Sequence, residues 1–132
     1  MIVLDASALL ELVLNTEGGE QVRDRITDPN ESLHSPHLLA VEVTQVLRRY
    51  EATRAISADV ALAALEDLAT LDIARYAHEP LLSRVWELRD NVTAYDAVYL
   101  ALAEVLEAPL LTFDRRLATA PGHEASIECL PA

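Results

Sequence analysis

The sequence predicts an α/β protein, a three-layer sandwich with a central, mainly parallel sheet flanked by helices, and three features predict it. Short apolar runs alternate with longer segments of helical periodicity. The two best strands, at residues 2–4 and 110–113, carry hardly a polar residue, as strands covered on both faces do. Strands that alternate with helices join through right-handed crossovers into parallel sheets. With 132 residues, against about 150 for an average domain, the chain is expected to fold as one domain over residues 1–132.

The elements follow in order. Ile2, Val3 and Leu4 make a short, β-branched strand. Residues 8–14 read as a helix broken before Glu17, Gly18 and Gly19, and a second helix over 20–26 is stopped by Asp28, Pro29 and Asn30. Residues 32–35 are a brief extended candidate ended by Pro36. Between 37 and 53, Leu38, Leu39, Val41, Val43, Val46 and Leu47 recur at helical spacing. Ser57 caps a helix that runs to Leu71, and residues 72–76 are a further strand candidate. Pro80 suits the first turn of a helix ending near Arg89. Thr93 opens the most Ala- and Leu-rich helix, through Glu107, with Pro109 as its stop. After the strand at 110–113 come a short helix over 114–118 and a last, weak strand over 126–130.

Composition narrows the function. An apolar fraction of 52% with 3 Gly and 6 Pro excludes a disordered or low-complexity chain. Acids outnumber cations 22 to 10, for a net charge of −12, and every one of those cations is Arg. That balance excludes a protein that coats nucleic acid without sequence preference, which needs surplus cations to displace counterions. The single Cys129 has no partner for an intrachain disulfide and is expected to be a small buried hydrophobe; no Cys and His set has zinc spacing. No apolar run approaches the ~20 residues of a membrane span, and no basic stretch precedes the first strand. A soluble, cytoplasmic protein is expected.

The chemistry rests on carboxylates. In an open parallel sheet the reactive residues lie just past the carboxyl ends of strands, and here Asp5 follows the first strand and Asp114 the fourth. Each is equally well placed as the N-cap of the helix that follows. Glu42 lies in one helical row with Leu38 and Val46, inside an apolar stripe. A carboxylate there needs compensation, from Arg48 or Arg49 nearby or from something outside the chain. Asp96 stands three residues after Thr93, the spacing of a capping box, with Tyr95 and Tyr99 flanking it. If Asp5, Glu42, Asp96 and Asp114 converge, two of them about 5 Å apart at an effective dielectric of about 20 repel by roughly 3 kcal/mol, so the group calls for a cation. All-oxygen donors favour Mg²⁺ or Mn²⁺. Ser7 and Thr112, each two residues from one of these acids, are candidates to orient the ion's waters, and either is equally an ordinary turn or strand residue. Such a site suits phosphodiester hydrolysis. Arg115 and Arg116, directly after Asp114, are the candidates for gripping substrate phosphate, or are simply solvated charges.

These segments resemble a known family. Asp5 in I-V-L-D-A-S, Glu42 in L-L-A-V-E-V, Asp96 in T-A-Y-D-A-V-Y-L-A-L-A-E and Asp114 in P-L-L-T-F-D-R-R-L look like the acidic motifs of PIN-domain nucleases. The chain is most similar to the VapC-type toxins of bacterial type II toxin–antitoxin systems, over essentially its whole length. The resemblance implies a PIN-like fold and a Mg²⁺- or Mn²⁺-dependent endoribonuclease acting on RNA. It carries Asp5, Glu42, Asp96 and Asp114 over as the catalytic and metal-binding quartet, and Thr112 as the hydroxyl residue before the last Asp. It further implies a homodimer, inhibition by a cognate VapB-type antitoxin whose C-terminal segment lies across the site, and toxin–antitoxin hetero-oligomers. The apolar stripes between residues 37 and 71 are the expected antitoxin surface. Two other classes compete: a receiver-like signalling module, which needs a strand-end Lys that this chain lacks, and a non-catalytic interaction module in which the acids are only caps.

Overall fold

The computed structural model describes residues 1–131. Five strands, β1 (Ile2–Leu4), β2 (Leu33–Pro36), β3 (Ile73–Tyr76), β4 (Leu110–Thr112) and β5 (Ile127–Cys129), form one sheet in the order β3-β2-β1-β4-β5. Every pairing is parallel. The crossovers carry α1 (Ala6–Val13), α2 (Glu17–Ile26), α3 (Leu38–Ala52), α4 (Ala58–Thr70), α5 (Leu82–Glu87), α6 (Ala94–Leu106) and α7 (Arg115–Ala118). Helices α1 to α4 pack among themselves, while α5 packs on α6 and α6 on β1, β2 and β4. The three-layer α/β expectation is met.

The core explains the apolar strands. Ile2, Val3, Leu4, Leu110 and Leu111 are fully buried, and Leu9, Leu39 and Leu100 from α1, α3 and α6 close over them. At about 25 cal/mol per Å² of apolar surface removed from water, each such side chain contributes roughly 1.5–3 kcal/mol. Among the described residues no helix is long and apolar enough to cross a membrane.

Several boundaries differ from expectation, each for a local reason. Helix α1 begins at Ala6 rather than residue 8, because Asp5 caps it by accepting the Ala8 N–H at 3.0 Å. Helix α2 begins at Glu17 and takes Gly18 and Gly19 into its first turn, with Thr16 as N-cap accepting the Gly19 N–H at 3.0 Å. Gly19 therefore marks a close approach between helices and not a break: a Cβ there would stand 2.2 Å from the Glu11 carbonyl oxygen at the end of α1. Gly19→Ala is expected to cost about 1–3 kcal/mol by overpacking, measured as a drop in the denaturant midpoint; an unchanged midpoint would contradict this contact. Pro80 opens a 3-10 turn (Glu79–Leu81) ahead of a shorter α5. Pro36 is the last residue of β2 rather than its stop. Cys129 is only partly buried, because β5 is an edge strand.

Strand order positions the site. From central β1 the chain runs outward to β2 and β3, then returns past β1 to β4 and β5. Connections leaving β1 and β4 diverge, which opens a crevice at the carboxyl ends of those two strands. Asp5 and Asp114 lie just beyond these ends.

Candidate active site

Asp5 is the anchor. It is 6% exposed, held by the Ala8 N–H and by the Ser7 hydroxyl at 2.6 Å on Oδ1, and by the Thr112 hydroxyl on Oδ2. Ser7 Oγ also accepts the Phe113 N–H and Thr112 Oγ1 the Asp114 N–H, both at 2.9 Å. Each hydroxyl has a single proton, and both protons go to Asp5. The 3.2 Å approach of Ser7 Oγ to Thr112 Oγ1 is then a contact between acceptors. These two residues, candidates from sequence to orient an ion's waters, fix the Asp5 carboxylate and tie the end of β1 to that of β4. Burial pushes the Asp5 carboxyl above its usual range against the pull of those donors, and the Asp114 charge adds to the rise.

Glu42 comes from the second turn of α3. Its partner is neither Arg48 nor Arg49, which are exposed, but Tyr99, whose hydroxyl donates to Oε1 at 2.6 Å. Burial raises the Glu42 carboxyl first, the Tyr99 bond opposes that, and the charges of Asp96 and Asp5 raise it further. Asp96 sits in the first turn of α6, where Thr93 Oγ1 accepts its backbone N–H at 3.2 Å. Its carboxyl is raised by burial and then by Asp114, with Arg116 pulling it down. Asp114 caps α7 by accepting the Arg116 N–H at 2.9 Å. Capping is thus true of both Asp5 and Asp114, and it leaves lone pairs on each carboxylate after the backbone bond.

The four acids influence one another electrostatically, yet protein cations barely reach them. Elsewhere Arg25 forks onto Glu128 at 2.7 and 2.8 Å, and Arg84 onto Glu104 at 2.8 and 3.0 Å. Around the quartet the nearest ion pair is Arg116 Nε at 3.8 Å from Asp114, with an Arg116 side chain 94% exposed. Arg115 is also exposed. Among the described residues, no three acidic, His or Cys side chains are gathered closely enough to hold one ion together. The expected four-ligand shell is therefore looser than the sequence reading had it, because Asp5 is tied by three donors and the like charges repel. An all-oxygen site of this kind fits Mg²⁺, which takes one or two carboxylates and keeps several waters, or Mn²⁺ of similar preference.

Tyr99, which the sequence marks only as flanking Asp96, is a further residue of the site through its bond to Glu42. It was detectable: in the buried run from Ala97 to Ala103 it is the one side chain able to form a hydrogen bond, and Glu42 lacked a partner.

A five-stranded parallel sheet with acids beyond the ends of its neighbouring strands β1 and β4 is the arrangement expected of a PIN-type domain. The PIN domain family matches residues 2–122. The chain belongs to that family and, within it, to the VapC group. It is 40% identical over 128 residues to Ribonuclease VapC12 of Mycobacterium tuberculosis, covering 97% of this chain and 98% of the relative. It is 43% identical over 127 residues to Ribonuclease VapC1 of the same organism, covering 96% and 95%. Its fold is shared with a chain in the crystal structure of VapBC2 from Rickettsia felis bound to a promoter DNA fragment, at a TM-score of 0.71, 12% identity and 98% coverage of both chains.

Proposed function

We propose that this protein is a divalent-metal-dependent endoribonuclease, a toxin of the VapC type that hydrolyses RNA phosphodiester bonds. The observation that carries the reading is the acid quartet at the β1–β4 crevice, left without a short ion pair in a chain whose partly buried Glu104 and Glu128 are each met by an arginine fork. The names of the relatives, ribonucleases at 40% and 43% identity, support the same activity.

Asp5 and Asp96 hold the principal ion, and Glu42 and Asp114 complete its surroundings. A bound Mg²⁺ or Mn²⁺ supplies positive charge for phosphate oxygens and makes water more acidic. The chain's own groups do the rest. Ser7, Thr112 and the Ala8 N–H favour the ionised form of Asp5 against its burial and fix it in one orientation, so little reorganisation remains when substrate arrives. Arg115 and Arg116, exposed beside Asp114, grip phosphate on the substrate strand. A divalent cation would cancel two of the quartet's four negative charges, which lessens the repulsion between an acidic protein and a polyanionic substrate. The purified protein is expected to cut structured RNA in Mn²⁺ and to stop when EDTA is added. Intact RNA in the presence of Mn²⁺ would remove the activity from this reading.

The same reading makes the protein a homodimer held inactive by a cognate VapB-type antitoxin, in a toxin–antitoxin hetero-oligomer. Supporting it is an apolar groove of about 320 Å³ between α3 and α4, lined by Leu47, Ala61, Leu62 and Leu65, with Val41 and Leu62 more than half exposed. Leu62→Glu is expected to weaken capture of the co-expressed antitoxin at least tenfold, with RNA cleavage by the free toxin unchanged. Equal capture would move the docking surface elsewhere.

A further inference from the structure

Glu42 is reached from outside its own helix. The Tyr99 hydroxyl donates to Oε1 at 2.6 Å, and the ring that carries it is 2% exposed. The two residues come from different helix groups: α3 packs on α1, α4 and β2, whereas α6 packs on α5, β1, β2 and β4. The bond therefore straps the two groups together over the carboxyl end of the sheet. Tyr99 lies three residues after Asp96, so both project from one face of α6 a turn apart. Burial and the Glu42 charge push the Tyr99 hydroxyl up from its usual range, which keeps its proton available to donate.

A half-buried glutamate with three free side-chain torsions would otherwise sample several rotamers and pay entropy to settle on one. Here one oxygen of the carboxylate, Oε1, is held by the phenol, and the other, Oε2, is left without a protein hydrogen bond among the described residues.

Building on the metal-dependent reading above, we propose that Tyr99 is a positioning residue: its hydroxyl selects the Glu42 orientation that aims a single oxygen at the water shell of a divalent cation carried by Asp5 and Asp96. Partners behind a metal-site ligand commonly set ion affinity by 10- to 100-fold, and a phenol buried in the sheet-facing side of α6 is a rigid mount for such a contact.

The test is Mn²⁺ binding to the purified full chain by titration calorimetry, beside single-turnover RNA cleavage and thermal melting. Tyr99→Phe keeps the ring and removes only the hydroxyl. The expected result is Mn²⁺ affinity weakened about tenfold, cleavage restored in part by excess Mn²⁺, and no further loss when Tyr99→Phe is added to Glu42→Gln, because the hydroxyl acts only through that carboxylate. Wild-type affinity in Tyr99→Phe, or equal losses in the presence and absence of Glu42, would overturn the proposal and leave Tyr99 as packing. If wild type itself binds no Mn²⁺, the metal-dependent reading falls and this inference with it. If wild type binds Mn²⁺ and cleaves while Tyr99→Phe matches it, this inference alone falls.

Discussion

Asp96→Asn is expected to abolish RNA cleavage while leaving the protein folded and at least as stable. The carboxyl is half-buried and lies in the field of Asp114, and burial and that repulsion together hold it above its ordinary range. Asparagine has the same shape and no charge, so it removes a like-charge interaction from the crevice. The Thr93 cap survives, because its donor is the backbone N–H of residue 96. Charge stabilisation by an ion is worth several kcal/mol; losing about 4 kcal/mol of it slows cleavage about 1000-fold. Rates from gel-resolved cleavage in Mn²⁺, with melting temperatures for both proteins, check the two halves. Cleavage equal to wild type would take Asp96 out of the chemistry, and a large drop in melting temperature would mean that its role is structural.

Mn²⁺ itself should stabilise the fold, by an amount that depends on pH in a definite direction. Asp5, Glu42 and Asp96 titrate in the fold above the ordinary values of 3.8 for Asp and 4.5 for Glu. The folded state therefore holds more protons than the unfolded chain between the ordinary and the raised values. Above the raised values the ionised cluster costs stability, and that cost is relieved as pH falls through them. A divalent ion relieves the same repulsion, and protons compete with it for the same oxygens. At 100 times its dissociation constant an ion binding only the folded state adds about 2.7 kcal/mol. The gain in melting temperature on adding Mn²⁺ is expected to be greatest near neutrality and to shrink as pH falls into the raised carboxyl range. Reading the difference with and without Mn²⁺ matters, because buried His34, held below its ordinary range by desolvation, loses stability on acidification in both samples. A gain that stays constant with pH, or persists in Asp96→Asn combined with Glu42→Gln, would place the ion elsewhere.

Much of this site was readable residue by residue. Asp5 and Asp114 declared themselves by following apolar strands, Glu42 by breaking an apolar stripe, and Asp96 by its place three residues after a capping threonine. The helix starts were harder. The Gly18-Gly19 pair reads as a break because glycine weakens isolated helices, yet α2 runs through it, since α1 approaches too closely for any side chain at Gly19. Ser7 and Thr112 were expected to face an ion's waters. The bonds that join them across the sheet, from Thr112 to Asp5 and from the Phe113 N–H to Ser7, link residues 107 and 106 positions apart, which no local pattern encodes.

Apolar periodicity and charge, both local properties, determined the alternation of strands and helices, the scarcity of cations, and which four acids are proposed for the site. Pairing order was decided only in three dimensions. Placing β1 between β2 and β4 puts Asp5 beside Asp114, lets Tyr99 on α6 reach Glu42 on α3, and leaves Arg25 and Arg84 committed to glutamates away from the crevice. Interactions between side chains fall off within a few ångströms, so the way this acidic cluster is held, and how little positive charge it meets, follow from which strands lie side by side.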